Sequence, residues 1–346
     1  MKFDLLSTII KVSSFIVNEE YLVHIDKTNS LFINQKLIQK YVISVNFLNN
    51  NIEFFTEERV TYIIKDFKVF KKINGAIITN SFFKHSFLLS NYKNSFYDVE
   101  LFYIIDNELI KKDDFLHKIN FGSNHRLENN FIFQSSLSKI SSLSLLTGDY
   151  EWENNLSKHG EIRKILGLVN EKLWVILYET ETRKKQLVSL HTATGKIIDL
   201  INSNLPLHDW HIALLEDTQT IVSIYGKIST HQKADSPFVE ICAVTGAVLR
   251  NERIESLFQA NLKLGQWCYL NHKIYFTAAT DTINSTHIGV LDYTTLNLEW
   301  FTEVKDRKAG IKDLQVTENK IYALDQGGQL FIFEKEKVVN LKESSE

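Results

Sequence analysis

Short runs of Ile, Val, Leu, Phe and Tyr recur along the whole chain, separated by clusters of Asn, Lys, Glu, Thr and Gly. In Lys320-Ile321-Tyr322-Ala323-Leu324-Asp325 the apolar and polar positions alternate nearly every residue, the pattern of a half-buried strand. Gln326-Gly327-Gly328 supplies the positive φ of a tight hairpin, and Gln329-Leu330-Phe331-Ile332-Phe333 returns. A helical period is hard to find over three turns. Residues 156–168 offer the best stretch, and Gly160 and Gly167 weaken it. The pattern predicts an all-β protein.

A repeat lies on top of the alternation. Four segments read as strand, Thr-Gly corner, strand, with the corner threonines Thr147, Thr194, Thr245 and Thr295 spaced 47, 51 and 50 residues apart. Weaker corners fall near Gln35, Asp66, Asn107 and Glu336. A period of this length with four short strands per unit is that of a β-propeller blade, which needs neighbours to cover both of its faces. The expected fold is a single β-propeller domain of four-stranded blades spanning residues 1–346. Seven blades are favoured, because the first interval of 31 residues is tight for four strands of about five residues each. Eight blades are the alternative, and a β-sandwich with chance similarity at the corners is the competing fold.

The pattern Asp-x-x-Thr-Gly-x-x-x-Trp resembles the repeat of PQQ-like propellers, a branch of the WD-repeat-like superfamily. Asp292, Thr295 and Trp300 match, with Leu296 in the glycine slot. Thr147, Gly148 and Trp152 match, with Ser144 in the aspartate slot, while the other two copies keep only Thr-Gly. The resemblance covers residues 130–340 better than residues 1–120, and it implies fold alone. PQQ dehydrogenases carry a vicinal cysteine pair over the quinone. Cys242 and Cys268 lie 26 positions apart, so no PQQ and no other cofactor is expected. The Gly-His and Trp-Asp signature of true WD repeats is absent.

Composition narrows the function classes. Lys plus Arg number 39 against 42 Asp plus Glu, for a net charge of -3, which gives no electrostatic footprint for nucleic acid. Two cysteines are too few for a disulfide scaffold and lack zinc-ligand spacing. Asp4 and Lys11 interrupt what would be a signal peptide, and no run of about 18 apolar residues could span a membrane. The expectation is a cytoplasmic protein, of bacterial type, without membrane insertion.

No nucleophile elbow, Walker loop, dinucleotide glycine fingerprint or zinc-binding His-Glu-x-x-His is present. The densest functional cluster is His208-Asp209-Trp210-His211. In an extended strand His208 and His211 would point to opposite faces, and Trp210 would pack between blades or stand at a channel mouth. Four segments lengthen the connections between second and third strands: residues 91–97, 179–185, 227–237 and 279–286. All leave from one rim, which makes that rim the expected binding face. The candidate contact residues are Tyr92, Phe96, Tyr97, Arg183, Lys184, His208, Trp210 and His231. Catalytic and metal-ligating residues are not identified. The function expected is a non-catalytic binding or scaffolding propeller with a protein partner, of immunity or complex-assembly type. The alternatives are a hydrolase or lyase with an active site at the channel mouth and a carbohydrate-binding propeller.

Overall fold

A computed structural model describes residues 1–48, 51–65, 68–78, 86–93, 96–105, 108–119, 123–201, 204–226, 235–280 and 284–336. Among the described residues the strands form eight four-stranded antiparallel sheets, the plan of a β-propeller. Seven sheets follow one another in chain order: residues 12–39, 42–74, 76–119, 124–155, 161–201, 212–253 and 263–303. The eighth takes its first three strands from residues 311–335 and its fourth from the beginning of the chain, Phe3–Ile10, which pairs with Gln329–Lys335. The four threonine corners, Gln35 and Glu336 fall at the end of a third strand, while Asp66 and Asn107 lie outside the described residues; the eight sheets make eight blades and not the favoured seven. The tight first interval is accommodated by a four-residue strand, Lys36–Gln39, and by connections of only two or three residues through sheet 2.

The chain divides into two compact units. One comprises residues 1–45, 225–236 and 253–346, the other residues 46–224 and 237–252. Within each, the second and third strands of a sheet are covered on both faces. Leu173, Val175 and Leu177 pack with Ile132, Ile140 and Trp152 of sheet 4, while the intervening Trp174 and Ile176 pack with Ile221, Val239 and Ile241 of sheet 6. A period of two thus splits one strand between two cores, and the sequence reads there as a continuous apolar run. Lys320–Asp325 is such a central strand, buried from Ile321 to Asp325, rather than half-buried. The fourth strands are the exposed ones, as in Leu298–Glu303, where positions alternate between partly buried and exposed. Residues 156–160 form a turn and Glu161–Val169 a strand, and the one helix among the described residues is the five-residue Glu255–Gln259. No helix there is long and apolar enough to cross a membrane.

The Thr-Gly corners share one hydrogen-bond scheme. The N–H of Gly148, Gly195, Gly246 or Leu296 donates to the carbonyl four residues earlier at 2.8–2.9 Å. The residue at that earlier position also caps the turn with its side chain. Asp292 Oδ1 accepts from the N–H groups of Thr294 and Thr295 and from the Thr295 hydroxyl. Ser144 Oγ accepts from Leu146 and Thr147, and His191 Nδ1 from Ala193. The Cys242 sulfur takes the same place, and bonds from Thr245 lower its pKa. Each corner threonine hydroxyl then accepts from the N–H two residues on.

The corners of sheets 4, 5 and 6 are also where the preceding sheet takes hold, and at the fourth corner the Ser256 hydroxyl donates to Leu296 O. Lys112 Nζ donates to the carbonyls of Leu145 and Leu146, both at 2.6 Å. Trp152 Nε1 donates to Thr192 O at 2.8 Å and Asn154 Nδ2 to Gly195 O at 2.7 Å. Trp174 Nε1 donates to Ala243 O at 2.9 Å, and Lys172 Nζ to Val244 O at 2.6 Å. A repeated turn therefore leaves carbonyls that only a neighbouring sheet satisfies.

Glycine is required at these corners to different degrees. All three corner glycines have positive φ, from 67° to 82°, and Leu296 adopts 55° in the fourth copy. A Cβ on Gly195 would lie 2.4 Å from Trp152 Cε3, whereas one on Gly246 would meet nothing nearer than Asp199 at 3.5 Å. Gly246→Ala is therefore expected to cost about 1–2 kcal/mol, the penalty of the left-handed conformation alone. Gly195→Ala should add the cost of displacing the indole, another 1–3 kcal/mol or so. Urea unfolding of the two variants measures the difference, and equal losses would show that the Trp152 contact carries no weight.

Candidate functional site

The connections between second and third strands and the crossings to the next sheet leave from the edge opposite the Thr-Gly corners. On this edge, the crossing between sheets 5 and 6 carries His208, Asp209, Trp210 and His211 just before the strand Ile212–Leu215. The segment is a turn rather than an extended strand. The N–H of His211 donates to His208 O at 3.2 Å, and the Trp210 N–H to His208 Nδ1 at 3.3 Å. The second bond requires His208 Nδ1 to be unprotonated, so the neutral ring carries its proton on Nε2. The turn brings the two imidazoles together, with centroids 4.8 Å apart, instead of on opposite faces.

The turn is tied into the sheets on both sides. His208 N–H donates to Ser223 Oγ at 3.1 Å, Ile224 N–H to His211 O at 3.1 Å, and the Leu207 side chain lies in the core between sheets 5 and 6. Asp209 pairs with Lys185 at 3.0 Å, joining the turn to the third strand of sheet 5. Lys184 Nζ reaches Asn204 Oδ1 at 3.3 Å in the same crossing. Trp210 is left 82% exposed on this anchored turn, not packed between blades. Burying an indole stabilises by several kcal/mol, so a tryptophan this open contributes little to folding.

The charges on this edge of sheet 5 are of both signs. Glu179 pairs with Lys184 across the ladder, which puts Arg183 in the exposed hairpin turn with φ 57°. Arg163 stacks its guanidinium over the Tyr178 ring at 4.7 Å and pairs with Glu161 at 3.3 Å. The sequence had pointed to Arg183, Lys184, His208 and Trp210, and the structure brings these onto one edge. Asp209 and His211, noted in the cluster but not among the candidate contacts, and Lys185 complete the arrangement. The two-residue step from His208 to Trp210 signals the turn only once a bend is allowed for.

Tyr92, Phe96 and Tyr97 belong to sheet 3, where Tyr92 and Tyr97 are ladder partners and Phe96 pairs with Lys93. They stand at the ends of its second and third strands, the connection expected from the sequence, while residues 94–95 and the side chains of residues 91–97 lie outside the described residues. His231 also lies outside the described residues.

Burial lowers the pKa of both turn histidines. For His211 the effect, helped by His208, brings it from 6.5 to about 4; for His208 it is reinforced by Lys185 and opposed by Asp209. Burial alone would raise Asp209, but the hydrogen bond and charge of Lys185, a backbone hydrogen bond and His208 together outweigh this and hold its carboxyl below the usual range. Both rings are therefore neutral near pH 7. Between about pH 6.5 and 4 the unfolded chain takes up the proton at position 211 and the folded chain resists it, so stability falls as pH drops through this window. His211→Asn should remove about 1–2 kcal/mol of that fall, since solvent screens a half-buried ring. Urea midpoints of the wild type and the variant at pH 7 and pH 4.5 measure it; parallel changes would contradict it.

No protein-family model and no curated protein sequence matches the chain. Solved structures match it in fold. The C-terminal WD40 domain of Sif2 aligns with a TM-score of 0.64 at 10% identity, covering 97% of this chain and 99% of that one. Sqt1 of Saccharomyces cerevisiae gives 0.62 at 12% identity, with 97% and 100% covered. BamB of Moraxella catarrhalis gives 0.52 at 12% identity, with 96% and 100% covered. At such identities the likeness is one of architecture, and the chain shares the β-propeller fold with these proteins.

Proposed function

We propose that this propeller is a non-catalytic interaction protein that binds a protein partner through the edge bearing Trp210. The observation that carries the reading is an 82% exposed tryptophan on a turn held by Ser223, His211 and the Asp209–Lys185 pair. An exposed flexible loop would lose conformational entropy on binding, whereas this turn is already ordered. Tryptophan buries a large area with few rotatable bonds and is enriched among residues that dominate interface energetics. Arg183 and Lys184 beside it supply charge at the margin, where electrostatics act on association rate more than on affinity. An immunity or complex-assembly role in the cytoplasm suits a rigid propeller with one such face.

The rival readings ask for different surroundings. A hydrolase or lyase needs reacting groups in a site that excludes water, and the Trp210 turn stands open to solvent. A carbohydrate-binding propeller would use the same indole face, so the test separates the two. A photo-crosslinking residue at position 210 should capture a discrete protein from the native cytoplasm, and one at Lys196 on the corner edge should not. With the captured partner purified, Trp210→Ala should weaken binding by about 2 kcal/mol or more at an unchanged melting temperature. Retained affinity, or equal capture from both positions, would overturn the reading, and retention on glycan arrays in place of protein capture would favour the carbohydrate alternative.

A further inference from the structure

The corner edge of the same unit holds a separate cleft. The turns joining first and second strands in sheets 4, 5 and 6 enclose about 440 Å³ on that edge. Each of the three consecutive turns contributes an acidic residue, Glu128, Glu171 and Glu216, and the first and third line the cleft. Its apolar wall is formed by Leu127 and Leu168, and Gln219 adds an amide.

Two basic side chains also line the cleft, His125 and Arg126, and both are accounted for. His125 lines the cleft, and burial keeps its pKa below the ordinary value although Glu216 opposes this, so it is neutral near pH 7. Arg126 is only 8% exposed, and its guanidinium donates to Ser86 Oγ at 2.8 Å and Leu127 O at 3.1 Å. Burial lowers its pKa to about 10, which leaves it charged at neutrality but turned to protein acceptors. Glu128 and Glu216 are exposed at the mouth. Anions are disfavoured there and cations favoured.

Size and lining select the kind of cation. No three His, Cys, Asp or Glu side chains among the described residues converge closely enough to ligate a metal ion. The space far exceeds that of a single ion, and its lining includes both aliphatic side chains and carboxylates. Long basic side chains have this same division, with an apolar stem and a charged head, and a planar guanidinium matches a carboxylate in two hydrogen bonds. We infer that the cleft receives an arginine side chain presented by a peptide, its stem on Leu127 and Leu168 and its guanidinium on Glu216. This goes beyond the Trp210 interface and does not depend on it, since the two sites lie on opposite edges of sheets 5 and 6.

The test uses the full chain and the probe acetyl-Gly-Arg-Gly-amide, with the citrulline peptide as an uncharged counterpart of nearly equal shape. Saturation-transfer NMR should show transfer to the arginine methylenes, with the citrulline signal about tenfold weaker. Glu216→Lys should abolish the transfer and Glu216→Gln should weaken it severalfold, both at the wild-type melting temperature. If the lysine variant does not fold, the glutamine variant alone decides. Trp210→Ala should leave the signal unchanged. Equal signals for arginine and citrulline, no transfer to either peptide, or a signal that persists in Glu216→Gln would overturn the assignment, as would its loss in Trp210→Ala.

Discussion

The hydrogen bonds that one sheet donates to the corner of the next are the constraint on which the rest of the structure depends. A tight turn that doubles back into a fourth strand leaves carbonyls facing sideways, and a buried carbonyl without a donor costs free energy. In the unit containing sheets 3 to 6, Lys112, Trp152, Asn154, Trp174 and Lys172 reach forward to those carbonyls. The same contacts set the distance at which Phe131 and Phe133 meet sheet 3 while Ile132, between them, meets sheet 5. Packing and polar satisfaction therefore enforce one spacing, which is why the corner repeats while the strands around it drift in sequence.

Fixing one edge in this way leaves the other free to vary. The corner edge carries its turns in a conserved geometry, whatever residue occupies the capping position: Ser144, His191, Cys242 or Asp292. On the opposite edge the chain places a tryptophan in water on a turn braced from two sheets. The architectural corners and the proposed binding face thus lie on different edges. The acidic cleft is the exception on the corner edge, and it lies among the turns between first and second strands, which the corner bonds do not constrain.

Much of this was legible from the chain alone, for identifiable reasons. The four threonine corners were readable because a left-handed residue after a hydroxyl-bearing one has few sequence solutions, and each marks a third-to-fourth strand turn. The blade count was not, because strand length was taken as typical where Lys36–Gln39 is short and its neighbours are joined by minimal turns. Cys242 and His191 were passed over as capping residues because the role is carried by a lone pair or sulfur rather than by a characteristic residue type. The cluster at His208–His211 was visible, but its meaning reversed: an extended reading separates the imidazoles, and the turn brings them to 4.8 Å at a tilt of 43° and leaves Trp210 exposed. Contacts such as Lys185 with Asp209 join residues 24 positions apart and leave no local pattern. The corner carbonyls' partners share that property, since Trp174 and Ala243 lie 69 positions apart.

The division between an architectural edge and a binding edge can be read from five indole N–H groups in one experiment, since the chain has five tryptophans. In a proton–nitrogen correlation spectrum followed after transfer to heavy water, the Trp152 and Trp174 indoles should persist, because each donates to a buried corner carbonyl. The Trp210 indole should exchange at once. A protected Trp210, or a Trp152 indole that exchanges as fast as Trp210, would contradict the assignment of one edge to folding and the other to binding.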